Sequence, residues 1–144
     1  MQFKFVTNNP ENSFYPLNLK DIEQVEKELG LTFPNELRQF YLEVGYGFFT
    51  GSEFQINRLM DPESVRDFRL RVDDYEFYPD IEIYDEHEEG KLIFFEASET
   101  ALMSIGTEKT DSRIYYYDIP IADSLEEFLI KMVEDDKYYL ELLE

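Results

Sequence analysis

Residues 18–47 read NLKDIEQVEKELGLTFPNELRQFYLEVGYG, and this stretch decides the fold. Asn18 is a natural helix N-cap, because its side-chain oxygen can accept from a free backbone N–H of the first turn. Leu19, Ile22, Val25, Glu26 and Leu29 follow at helical spacing, with Ile22, Val25 and Leu29 as the apolar stripe. Gly30 stands where a chain leaving a helix turns left-handed. Leu31-Thr32-Phe33-Pro34 is a short link, and Pro34 suits the first turn of a second helix, where a missing N–H costs nothing. Leu37, Phe40, Tyr41 and Val44 then repeat at i, i+3, i+4 and i+7, and Gly45 and Gly47 end that helix. Two amphipathic helices joined this tightly form a hairpin. Each carries a stripe that only a sheet or a further helix can cover.

The flanks supply the partners. Upstream, residues 1–17 show no clear period and are broken by Pro10 and Pro16, so they read as a loose arm. Downstream, Phe54, Ile56 and Leu59 alternate with polar residues as a strand does. Asp61-Pro62-Glu63 is a helix start, with N-cap, proline and first-turn acid in order. Val65, Phe68, Val72 and Tyr75 continue that helix at its spacing until Pro79. Residues 91–118 are β-rich, with runs at 92–95, 101–105 and 113–117, the last two joined by a hairpin loop from Gly106 to Ser112. Ser124 to Glu127 is a capping box in which Glu127 can reach back to the Ser124 N–H. Leu125, Phe128, Leu129 and Met132 form the stripe of the closing helix, and a tail from Tyr138 to Leu143 is apolar enough to pack. The expected product is a single α+β domain over residues 1–144. It has a mixed, mainly antiparallel sheet packed against helices, an N-terminal helical hairpin and a C-terminal helix.

Charge narrows the partners. The 144 residues hold 33 acids and 13 bases, a formal net charge of −20. Nucleic acid and anionic membrane surfaces both need clustered Lys and Arg, so neither is an expected partner. A basic protein is attracted and steered instead, although the same charge would also serve solubility alone. With no cysteine, disulfides, thiolate chemistry and cysteine-based zinc sites are excluded. No run approaches the length of a membrane span and the N-terminus lacks a signal-peptide core, so a cytoplasmic location is expected.

Catalytic chemistry finds little material. His87 is the one histidine, which leaves no multi-histidine metal site and little scope for a Ser-His-Asp arrangement. It lies in Asp85-Glu86-His87-Glu88-Glu89, a hydrophilic run in which a solvated loop histidine is expected. No phosphate-binding glycine motif occurs, and Asp73, Asp74 and Glu76 lack the spacing of a calcium loop. Paired carboxylates would suit a hydrolase, but among so many acids no pair stands out. The expectation is a protein without cofactor, metal or catalytic residues, which works by binding.

The densest feature is residues 73–89. Asp73, Asp74, Glu76, Asp80, Glu82, Asp85, Glu86, Glu88 and Glu89 give nine acids with no Lys or Arg between them. Tyr75, Phe77, Tyr78 and Tyr84 are interleaved. Acids steer a basic partner and aromatic rings anchor it, so Asp73, Asp74, Tyr75, Glu76, Asp80, Glu82, Tyr84, Asp85, Glu86, Glu88 and Glu89 are the candidate partner-binding residues. Two other readings stay open. The rings could pack inward beneath a solvated surface, and Ile81 and Ile83 alternating with Glu82 and Tyr84 would suit an acid-guarded edge strand. Glu126, Glu127, Glu134, Asp135, Asp136, Glu141 and Glu144 form a second acidic zone that reads as the solvent face of the closing helices.

Ile22, Glu26, Leu29, Gly30, Phe33-Pro34, Leu37, Phe40-Tyr41 and Gly45 resemble the opening of the SUKH superfamily, the bacterial immunity proteins related to fungal cell-wall assembly regulators. Tyr115-Tyr116-Tyr117 and the run from Ile121 to Leu129 are similar to its closing strand and helix. The chain departs from the family pattern in reading Val44-Gly45-Tyr46-Gly47 where Asn-Gly-Gly is usual, and in having no tryptophan. The resemblance implies a SUKH-like domain and a non-enzymatic antitoxin that neutralises a cognate toxin, often a nuclease. A regulatory scaffold, like the fungal relatives, is the alternative. The acid excess fits a basic toxin; the oligomeric state is left open.

Overall fold

The computed structural model describes residues 2–50, 56–97, 101–109 and 111–142. Its centre is a seven-stranded sheet in sequence order: β1 (Ser13–Tyr15), β2 (Tyr46–Thr50), β3 (Ile56–Leu59), β4 (Lys91–Ala97), β5 (Ala101–Gly106), β6 (Ile114–Tyr116) and β7 (Ile119–Ala122). Every described neighbour pair is antiparallel. The β4–β5 pair carries a bulge between Ile93 and Phe95, and both strands are buried almost throughout. A strand buried on both faces needs cover on both sides, and here different helices supply it. The expected strand residue Phe54 lies outside the described residues.

The helical hairpin forms as its caps predict. Helix α2 (Leu19–Leu29) opens on a reciprocal capping box between Asn18 and Asp21 and closes on Gly30 at φ 70°. Helix α3 is Asn35–Glu43, so Pro34 is its N-cap and not its first helical residue. Glu26 ties the two helices together: it accepts from the Phe33 N–H at 2.7 Å and pairs with Arg38 at 3.4 Å. Helix α5 (Leu125–Glu134) buries Leu125, Phe128, Leu129 and Met132. Ser124 accepts from the Glu127 N–H as expected, whereas the Glu127 carboxylate pairs with Lys131 at 2.7 Å. A distant carboxylate, Glu36, accepts from the Leu125 and Glu126 N–H groups at 2.7 and 3.1 Å. These helices cover one face of the sheet, where Phe128 meets Phe95 edge-on at 5.0 Å and Phe40 stacks on Phe49 at 6.4 Å. The tail forms α6 (Tyr138–Glu141), with Tyr139 buried.

Two expectations are corrected here. The arm, over its described residues 2–17, is ordered: Phe3 and Val6, at the start of and within α1 (Lys4–Thr7), are buried, and β1 joins the sheet. Gly45 and Gly47 do more than stop a helix, since β1 lies directly against them. A Cβ on Gly47, at φ 151°, would collide with the Ser13 carbonyl oxygen, so the approach of β1 to β2 requires glycine.

The opposite face is covered differently. Helix α4 (Pro62–Leu70) starts on its Asp61 cap, as predicted. It does not run on to Tyr75, because Arg71 turns left-handed at φ 59° and ends it. Three short 3₁₀ turns follow, at Asp73–Tyr75, Ile81–Tyr84 and Glu86–Glu88. There is therefore no edge strand at 81–84. This lobe reaches over the sheet face that carries Arg58 and Glu96, a cross-strand pair 3.0 Å apart.

Candidate functional site

The acidic lobe is built around Phe68. That ring is fully buried, and Tyr75, Tyr78 and Tyr84 meet it edge-on at 5.1, 6.0 and 5.8 Å. Three of the four aromatic residues of the lobe thus point inward, which gives a segment without helix or strand its own apolar centre. Phe77 is the exception, with 88% of its surface exposed. Exposed Leu70, Val72 and Ile83 lie in the same stretch of chain.

One cation organises the carboxylates. The Arg71 guanidinium donates to Asp85 at 2.9 Å and to Glu88 at 2.8 Å, caps the Phe68 carbonyl, and lies 4.9 Å from the Phe68 ring centroid. Arg69 donates to the Glu88 and Lys91 carbonyls at 2.9 and 2.7 Å, joining the end of the lobe to β4. Glu88 is buried, and its second carboxylate oxygen has no hydrogen-bond partner among the described residues. Burial pushes its pKa up, against the pull of Arg71.

The remaining acids face water. Asp73, Asp74, Glu76, Asp80, Glu82, Glu86 and Glu89 are exposed. Asp73 and Asp80 adopt positive φ, at 53° and 55°, a conformation in which Asp is among the less disfavoured residues. The carboxylates of Asp74, Glu76, Glu82 and Glu89 make no hydrogen bond or ion pair with a described residue. Their charge is uncompensated locally, and such a surface attracts cations.

Tyr75 and Tyr84 are structural groups in the free protein. Burial and the Glu96 carboxylate push the Tyr75 phenol up to about 12. It stays protonated and donates to Glu96 at 3.4 Å. Burial and Tyr117 raise the Tyr84 phenol further, and the two rings stack at 5.8 Å.

His87 corrects an expectation: it is not a solvated loop histidine. Its side chain is 13% exposed, its Nδ1 lies 2.9 Å from Asp118, and its ring packs on Tyr117 at 5.2 Å. Lys91 joins Asp118 from β4 at 3.1 Å. These contacts fasten the lobe to the β6–β7 turn. The sequence reading missed Arg69, Arg71, Tyr117 and Asp118, since nothing local marks them as partners of a segment up to 31 residues away. The sole available signal was that nine acids lacked a base nearby, which required one from elsewhere.

Several of the C-terminal acids have partners of their own. Glu126 accepts from Gln2 at 2.6 Å, Asp135 from the Lys137 N–H at 3.0 Å, and Asp136 from Asn57 at 3.1 Å. Glu144 lies outside the described residues. Among the described residues no group of three or more His, Asp or Glu side chains could hold a metal ion. No helix there is long and apolar enough to cross a membrane.

Comparison with known proteins adds two findings. A SUKH family model described as SMI1-KNR4 cell-wall matches residues 19–129, from the first residue of α2 into α5. A protein of Bacillus subtilis (strain 168) named immunity protein YxxD is 63% identical over 145 residues, covering 100% of this chain and 99% of its own.

Proposed function

Because this chain belongs to the SUKH family described as SMI1-KNR4 cell-wall, we propose that it is an immunity protein, a non-enzymatic antitoxin that binds a cognate basic toxin. The observation that carries the role is the 63% identity to immunity protein YxxD along essentially the full length of both chains. The match runs the length of both chains and is not confined to one motif.

The docking surface we assign is the acidic lobe. Phe77 is the anchor: an aromatic ring with 88% exposure has no structural use in the free protein. Rings surrounded by excludable water are where interface energy concentrates. Asp73, Asp74, Glu76, Asp80, Glu82, Glu86 and Glu89 surround it in sequence and supply steering. Tyr75, Tyr84 and Glu88 act from beneath, and Asp85, itself exposed, is held by Arg71, so the lobe keeps its shape through Phe68 and Arg71. Preorganisation of this kind lowers the ordering cost of binding. The whole chain acts as one domain, in the cytoplasm, and a nuclease is the toxin class that suits its charge.

The test is co-expression with the product of the neighbouring gene as candidate toxin. Asp74, Glu76, Glu82 and Glu89 are changed together to their amides, with the same change at Glu126, Glu127, Glu134 and Asp135 as control, and both variants are checked by thermal melting. The lobe set should lose protection and complex formation while melting normally. Protection lost only in the control set would move the docking surface to the closing helix.

A further inference from the structure

The sheet face covered by α4 and the lobe is covered over only part of its width. Across β1 and β2 the same face carries Tyr15 and Tyr46, paired in register, and Phe48, paired with Ser13 on one side and Arg58 on the other. Tyr15 is 48% exposed and Phe48 38%. The Tyr15 and Tyr46 rings lie 5.4 Å apart, tilted by 31°. Neither Tyr15 nor Phe48 is part of the core, so neither is needed there for packing. Where this strip meets the start of α4 there is a cleft of about 250 Å³, lined by Pro16, Leu17, Asp21, Tyr46, Asp61 and Glu63 together with Pro62.

The charged side chains lining the cleft are of one sign. Asp21, Asp61 and Glu63 line the cleft and no Lys or Arg does. Asp21 belongs to the α2 capping box, and Asp61 caps α4 and holds Arg58 at 2.8 Å. Arg58, the one base placed on this face by the β2–β3 register, is neutralised by Asp61 and Glu96. Glu63 makes no ion pair with a described residue.

We propose that the outer face of β1 and β2 is a second docking surface, which receives an arginine-presenting segment of a basic protein partner. Arginine fits better than lysine. Its guanidinium is planar and weakly hydrated, so it lies on tyrosine and phenylalanine faces, and its fork pairs with a carboxylate in two bonds. Tyr46, tilted against Tyr15, lines the cleft with Glu63 and Asp21, so ring and carboxylate are presented together. The net charge of −20 opposes a second copy of this chain as the occupant. The inference goes beyond the lobe and stands on different residues, sharing with the proposed function only the basic character of the partner.

The probe is an acetylated, amidated peptide GRGRGRG, with GKGKGKG beside it, titrated into the labelled full chain and followed by amide chemical shifts. The expected result is shifts concentrated at residues 13–16, 46–48 and 61–63, with the arginine peptide binding several-fold more tightly. Tyr15→Ser with Phe48→Ser should weaken that binding by about tenfold, and Glu63→Gln, which removes no packing, by about two- to fivefold. Shifts confined to 73–89 would overturn this surface while supporting the lobe. Shifts spread evenly, or unchanged affinity in both variants, would overturn it as well. So would a dimer in sedimentation that Phe48→Ser abolishes, because the occupant would then be a second copy.

Discussion

Replacing Phe68 by leucine should loosen the acidic lobe while the sheet stays folded. Phe68 is fully buried and meets three tyrosines edge-on within about 6 Å, with the Arg71 guanidinium 4.9 Å from its centroid. An edge-to-face pair contributes about 0.5–1.5 kcal/mol beyond burial, and a partly exposed cation–π contact about 0.5–1 kcal/mol. Simple addition gives roughly 2–5 kcal/mol, but contacts sharing one ring do not add, and leucine keeps most of the apolar volume. The expected cost is about 2–3 kcal/mol, below the roughly 5–15 kcal/mol that holds a domain together. Since every 1.4 kcal/mol is tenfold, amide exchange across 73–89 should accelerate by about 30- to 150-fold. Strand β5, buried in every residue, should show much less change. Hydrogen-exchange mass spectrometry measures both at once. Equal acceleration in β5 and the lobe, or none in the lobe, would refute the idea of a locally anchored lobe.

Three further outcomes are expected. Gly47→Ala forces a methyl against the Ser13 carbonyl, so it should destabilise by about 2 kcal/mol or more and speed exchange in β1; an unchanged melt would mean β1 does not pack there. Association with the toxin should slow markedly from low to physiological ionic strength while dissociation changes less; a salt-independent association rate would leave the charge as a solubility device. Glu88 has a pKa raised by burial from its ordinary 4.5. Its contribution is therefore full below that value and is lost as pH rises through the folded value. The stability of the native protein relative to Glu88→Gln should shrink in urea melts as the pH is raised above 4.5, and a difference that grows with pH would contradict the burial.

Local chemistry was legible in the sequence, because a cap or a stripe is specified within a few residues. Asn18, Gly30, Asp61 and Ser124 all mark their helix ends in the structure, and the apolar runs at 92–95 and 101–105 fall in β4 and β5. The helical hairpin and closing helix, with their family resemblance, were readable for the same reason. The order of the N-terminal arm was not, because it depends on two glycines, 30 residues from Tyr15 and 34 from Ser13, lacking a Cβ. Nor was the end of α4: Val72 and Tyr75 continue the apolar spacing, but Arg71 turns left-handed to reach Asp85 and Glu88, partners 14 and 17 residues on. The acids of the lobe were evident from composition alone, but their roles were not. Short 3₁₀ turns impose no long hydrophobic period, so sequence could not say that Tyr75 and Tyr84 turn inward while Phe77 faces water. Tertiary structure decided that through Phe68, whose ring gives the inward tyrosines something to pack against and leaves Phe77 without a place beside them.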